Sequence, residues 1–302
     1  MPYGAEAAAD HCDRAAVRRA FERAASTYDA AAIVQAQARE ELLGRLDYVA
    51  LEPRLVVDAG AGTGRSSRAL ERRYPRARVV ALDVSVAMLR ASGRRAWWRR
   101  AKGFDRVCGD LERLPFADSS VDLLFSNLAL PWCDPDRALA EARRVLAPRG
   151  LLSVTTLGPD TLKELRIAWA QVDGGAHVNP FLDMHDLGDA LVRTGFVQPV
   201  LDVERRTLQY AEFADLVEDL RASGSRNVLA TRPRGLTGKA KARALRAAYE
   251  RERRDGRLPA SCEIVFAHAW AGTAPPPDRG RGDGAVIPFE TVKRGLRERS
   301  RR

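Results

Sequence analysis

Long hydrophobic runs are missing from this 302-residue chain. Stretches such as Val121-Asp-Leu-Leu-Phe125 are short and interrupted by polar residues, well below the ~18 apolar residues a membrane helix needs, so no membrane span is expected. The opening Met1-Pro-Tyr-Gly-Ala-Glu has neither the basic nor the apolar region of a secretory signal, which points to a reducing, cytoplasmic location. Cysteine is sparse: Cys12, Cys108, Cys133 and Cys262 lie far apart without a CxxC pair, which argues against a disulfide framework and a zinc site, and no metal is expected. Acid is in deficit, with 40 Asp+Glu against 50 Lys+Arg and a net charge of +10. Acidic surfaces are therefore attracted, although an Arg- and Ala-rich composition alone names no partner. With 45% hydrophobic and 30% charged residues the chain has enough apolar surface to bury a core, which excludes disorder.

Present instead is alternation. Residues 13–47 read as helical, with Val17, Phe21 and Ala24 and then Leu42, Leu43 and Leu46 at helical spacing. From Leu55, short apolar runs alternate with helical segments, the βαβ pattern of an α/β, doubly wound parallel sheet. Strands are predicted at Leu55–Asp58, Arg78–Asp83, Arg106–Gly109, Val121–Asn127 and Leu151–Thr156, with helices at Ser66–Arg73, Val86–Ala91 and Ala138–Leu146. Later come helices at Thr161–Gln171, Leu187–Thr194, Phe213–Ala222 and Lys239–Arg254, an extended run within Phe196–Tyr210 and a last strand at Glu263–Trp270. The expected organisation is an N-terminal helical segment (1–47), a main domain (48–271) with helical lid insertions at about 157–190 and 211–258, and a basic tail (272–302) entered through a Pro- and Gly-rich linker.

Leu55-Val-Val-Asp58-Ala-Gly60-Ala-Gly62-Thr-Gly64-Arg65 falls where the first strand turns into a helix. Glycines there let a ligand approach the backbone, and the helix start presents free N–H groups. A dinucleotide fingerprint counted from Gly60 would put bulky Arg65 at its last position, against the close packing that fingerprint needs. The spacing D-x-G-x-G-x-G instead resembles motif I of the class I S-adenosylmethionine-dependent methyltransferases. Asp83 ends the second strand, 19 residues after Gly64, where a carboxylate accepts from both ribose hydroxyls. The resemblance also implies Asp110 near the adenine amino group, Leu111 on the ring face and Asn127 facing the methionine part; each acidic residue has a helix cap as its plain alternative.

A narrower likeness rests on Phe21-Glu-Arg-Ala-Ala-Ser-Thr-Tyr28-Asp, Phe125-Ser-Asn-Leu-Ala-Leu-Pro-Trp132-Cys-Asp134, Gly158-Pro-Asp-Thr-Leu-Lys-Glu-Leu-Arg166, His177-Val-Asn179-Pro-Phe-Leu-Asp-Met-His185-Asp-Leu-Gly and Glu263-Ile-Val-Phe-Ala-His268-Ala-Trp270. Together these resemble the malonyl-acyl-carrier-protein O-methyltransferases of biotin synthesis, over about residues 13–271, with Pro131 and Leu157 as departures where Gln and Phe are expected. The resemblance implies a seven-stranded sheet whose last strand, Glu263–Trp270, is antiparallel. It also implies methyl transfer from S-adenosylmethionine to the free carboxylate of a malonyl thioester, with S-adenosylhomocysteine as product. A carboxylate is already ionised at neutral pH and needs no general base, so the protein must align it and exclude water.

Arg166 is the first candidate to clamp that carboxylate, with His177 and Asn179 closing the pocket and Tyr28 and Trp132 as flat walls; ordinary surface or core roles are the alternatives. An acidic carrier protein needs a basic face, for which Arg232, Arg234, Lys239, Lys241, Arg243 and Arg246 are candidates, as is Arg94-Arg95-Ala-Trp97-Trp98-Arg99-Arg100. No RNA-binding module is recognisable, and a nucleic-acid partner is not expected. An RNA methyltransferase, an arginine-modifying assembly factor of the respiratory complex I type and a non-catalytic cofactor-binding scaffold stay open as alternatives.

Overall fold

The structure is a computed structural model that describes residues 12–93, 103–232, 235 and 237–273. The N-terminal helical stretch is divided into α1 (Arg14–Ala24), α2 (Tyr28–Ala31) and α3 (Ile33–Arg45). Asp13 caps α1 by accepting from Ala16 N at 3.0 Å. The break after α1 is held by Thr27, whose hydroxyl donates back to Ala24 O and across to Ala222 O, at 3.1 and 2.9 Å.

The strands are β1 (Leu55–Ala59), β2 (Arg78–Asp83), β3 (Asp105–Cys108), β4 (Val121–Asn127), β5 (Leu146–Leu157), β6 (Phe196–Tyr210) and β7 (Leu258–Ala271). They form one seven-stranded sheet in the order β3-β2-β1-β4-β5-β7-β6. The first five are parallel, and β7 runs antiparallel to both β5 and β6. The predicted strands lie in place but two grow: β5 begins at Leu146 rather than Leu151, and β7 begins at Leu258 rather than Glu263. β7 lengthens because it pairs with β6 from Tyr210↔Leu258 to Phe196↔Ala271, so polar positions are carried into the ladder by their neighbours.

The remaining helices are α4 (Arg65–Arg73), α5 (Val86–Ala91), α6 (Pro135–Val145), α7 (Lys163–Ala170), α8 (Met184–Arg193), α9 (Phe213–Ala222) and α10 (Lys239–Glu250). One face of the sheet buries Leu139, Val145, Leu187 and Leu191 of α6 and α8 against Leu124, Leu152 and Val265. The other buries Leu42 of α3 and Leu70 of α4 against Val56, Leu123 and Phe266. Each such side chain contributes roughly 1.5–3 kcal/mol by leaving water. α7, α9 and α10 gather in a separate cluster, where Leu165, Phe213, Leu216, Leu245 and Tyr249 pack on Leu258 and Ala260 of β7. The strand order reverses between β1 and β4, and a crevice at their carboxyl ends is where a parallel sheet binds its ligand.

Candidate active site

The turn after β1 has Gly60, Gly62 and Gly64 at φ +75°, +54° and +72°, in the left-handed region. A Cβ on Gly60 would lie 2.2 Å from Ala129 Cβ, so the β1 turn and the residues after β4 meet at backbone distance. The amides of Gly60 and Ala61 donate to Leu82 O at 2.8 and 2.9 Å, which ties the turn to the end of β2. Asp83 completes the tie: Oδ2 accepts from Gly62 N and Oδ1 from Ser85 N, both at 2.8 Å. Only 8% exposed, its carboxyl is raised above the ordinary range by burial, against which the Ser85 and Gly62 amides act.

Asp58 lies beneath the turn, fully buried. Its Oδ2 accepts from Ser67 Oγ of α4, while Oδ1 has no hydrogen-bond partner. Burial pushes its pKa up to about 7; the Ser67 hydroxyl opposes this and the nearby Asp83 charge reinforces it. Asp83, Asp110, Leu111 and Asn127 line one cleft with Gly60 and Gly62, so the structure brings together the ends of four strands that are remote in sequence. Arg14 of α1 pairs with Asp110, and Asp110 Oδ1 accepts from Glu112 N at 2.9 Å. Asn127 is fixed at both ends, donating to Gln35 O at 2.9 Å and accepting from Thr155 Oγ1 at 3.0 Å.

The N-terminal helices roof this cleft. Asp29 of α2 accepts from Thr63 Oγ1 and from Arg65 at 2.5 and 2.7 Å; although burial works against it, these bonds hold its carboxyl below the ordinary range. Phe21 of α1 packs edge-on against Trp132 and Tyr28, with ring centroids 5.2 and 6.4 Å away. A second cavity of about 360 Å³ lies alongside, mostly apolar, and shares Leu128 and Trp132 with the cleft. Leu128 adopts φ +52°, a conformation that costs an L-residue roughly 1–2 kcal/mol. Its amide donates to Thr155 Oγ1 at 2.9 Å, which holds that conformation where cleft and cavity join.

Of the expected acceptor residues, Arg166 stands outside the cavities and His177 lines one but is held by its neighbours. Arg166 is exposed and lines neither cavity, because its guanidinium folds back to donate to Pro159 O and Thr161 O at 3.0 and 3.1 Å. His177 does line the larger cavity, yet its ring stacks on Trp169 at 3.5 Å and Nε2 meets Asp173 at 2.6 Å, so it acts as a pin for its loop. Asn179 is on the cavity wall, 5% exposed, with Oδ1 unpartnered.

The expected basic face is largely neutralised. Arg232 pairs with Asp13 at 3.0 Å, Lys241 with Asp173 at 2.9 Å and Arg246 with Glu212 at 3.1 Å. Lys239 and Arg243 are exposed on α10 and line neither cavity; Arg234 and the Arg94–Arg100 stretch lie outside the described residues.

Comparison with known proteins agrees with this geometry. Residues 57–154 match the methyltransferase domain family. The YcgJ protein of Bacillus subtilis superposes with a TM-score of 0.56 at 15% identity, covering 78% of this chain and all of that one, and shares the fold. A malonyl-[acyl-carrier protein] O-methyltransferase of Methylovorus sp. is 51% identical over 85% of this chain and 89% of its own length. That of Laribacter hongkongensis is 50% identical over 88% and 92%. This chain belongs to the malonyl-[acyl-carrier protein] O-methyltransferase family. Other polar residues outside the sequence motifs also face these cavities. Gln35 and Arg39, one helical turn apart on α3, line a recess continuous with the glycine turn through Tyr28 and Asn127. Arg226 lines the larger cavity. The helical spacing of Gln35 and Arg39 was visible in the sequence; what it faced was not.

Proposed function

We propose that this chain transfers the methyl group of S-adenosylmethionine to the free carboxylate of a malonyl thioester on acyl carrier protein, an early step of biotin synthesis. The observation that carries the reading is the junction at Leu128, Trp132 and Gln35, where the glycine-lined cleft opens directly into a largely apolar cavity.

The residues present suit the cofactor. The unpartnered, buried Asp58 Oδ1 sits by the glycine turn and suits a cationic group, since a positive neighbour removes the cost of ionising it. Asp83 keeps unused lone pairs for two hydroxyls, Leu111 offers an apolar face, and Arg39 with Gln35 offers donors to an amino-acid carboxylate. When bound, the cofactor supplies an electrophilic methyl carbon, and its transfer to the acceptor carboxylate leaves a neutral thioether and a methyl ester.

The chain's own task is alignment. Tyr28 spans cleft and recess, and burial, reinforced by Asp83, raises its pKa far above neutrality, so its hydroxyl stays a donor available to one acceptor oxygen. Trp132, braced by Phe21, excludes water from the other side. No residue need remove a proton, because the acceptor arrives ionised.

Offered malonyl- and acetyl-carrier in parallel with the cofactor, the protein should methylate the first and leave the second untouched. Methylation of both, or of neither, contradicts the proposal.

A further inference from the structure

The larger cavity holds more than a three-carbon acid requires. Its volume, about 360 Å³, falls within the roughly 300–1,000 Å³ of sites that enclose a whole small molecule. Its wall is mostly apolar, yet Asn179 is buried there with Oδ1 unsatisfied, and a buried amide without a partner costs roughly 1–3 kcal/mol unless a ligand supplies one. At the rim, Arg226 lines the same cavity, is exposed, and makes no side-chain hydrogen bond or ion pair among the described residues. Arg221 at the end of α9 and Arg23 in the last turn of α1 are likewise exposed and unpaired. These segments abut, since Thr27 bonds Ala222 O and Gly224 packs on Phe21. Partial burial first, then the charges of Arg23 and Arg221, make Arg226 easier to deprotonate, while the nearby Glu218 carboxylate opposes them.

A site with an unmet amide inside and crowded cations at its mouth fits a long amide-bearing arm that ends in a phosphodiester. Resting on the function proposed above, we propose that the cavity receives the phosphopantetheine arm of the carrier, an arm amide meeting Asn179 and the phosphodiester held by Arg226 with Arg221 and Arg23. This moves carrier docking from α10 to the junction of α1 and α9.

The test is steady-state methylation of malonyl-carrier by the full chain and its variants, with cofactor affinity measured beside it. Arg226→Ala, and Arg23→Ala with Arg221→Ala, should raise KM for the carrier substrate at least tenfold, with kcat and cofactor Kd within twofold. Asn179→Leu should lower kcat/KM about tenfold at unchanged cofactor Kd; if it loses cofactor binding through misfolding, Asn179→Ser gives the same reading. Rim variants within twofold of the parent overturn the inference, as does a larger rise in KM from Lys239→Ala with Arg243→Ala. An Asn179→Ser variant as active as the parent overturns its interior half. A parent that methylates no malonyl-carrier contradicts the proposed function instead, and this inference with it.

Discussion

Gly60 carries the tightest requirement at the site. Its φ of +75° costs an L-residue roughly 1–2 kcal/mol, and a Cβ 2.2 Å from that of Ala129 must push the two loops apart. Gly60→Ala is therefore expected to lower the melting temperature and weaken cofactor binding at least tenfold by calorimetry; binding at parental strength contradicts the close approach. Asp58 gives a pH signature. Its folded pKa of about 7 stands above the ordinary 3.8, so it favours folding at low pH, and that contribution is lost as pH rises through 7. Asp58→Asn should raise the melting temperature of the cofactor-free protein more at about pH 8 than at about pH 5, while weakening the cofactor at both. Equal thermal shifts at the two pH values would sink the assignment. Motif I and Asp83 were legible because they are a local spacing followed by a count to the next strand end. Arg166 stands away from both cavities, because helix position fixes a Cβ while a long guanidinium turns to whichever carbonyls lie near, here those of Pro159 and Thr161.

Among elements, α1 has the most far-reaching effect. Through Phe21 it braces Trp132, meets Tyr28 and supports the Gly224 turn beside the rim. Phe21→Ala should cost roughly 1–3 kcal/mol, less than a fully buried Phe because the ring is half-buried, and should raise KM for the acceptor more than for the cofactor. A purely thermal defect with unchanged KM contradicts the bracing role. β7 supplies an acid-sensitive point: His268 meets Ser153 Oγ at 2.9 Å, and burial, then Arg45, depress its pKa from 6.5 to about 4. Its stabilising contribution is full above pH 6.5 and lost as pH falls toward 4, so melts over that window should show a loss on the order of 2 kcal/mol that His268→Gln reduces. The helices and strands were legible from the helical and alternating periodicity of their apolar residues. The full extent of β6 and β7 was not, because their length comes from pairing with each other.

For the whole molecule, the excess of positive charge predicts salt-dependent encounter with an acidic carrier. Raising ionic strength from about 50 to about 200 mM should raise KM for malonyl-carrier severalfold and leave cofactor affinity nearly constant. A flat response contradicts electrostatic steering. Composition carries that expectation but names no face: Arg232, Lys241 and Arg246 pair with Asp13, Asp173 and Glu212, while Arg226 stays exposed at the cavity. The most direct test of the central claim uses S-adenosylmethionine carrying a trideuterated methyl group, incubated with the protein and malonyl-carrier and followed by mass spectrometry of the released arm. One labelled methyl on the terminal malonyl carboxylate, removable by an esterase, is the predicted result. An unlabelled arm, or label on the carrier polypeptide, contradicts it.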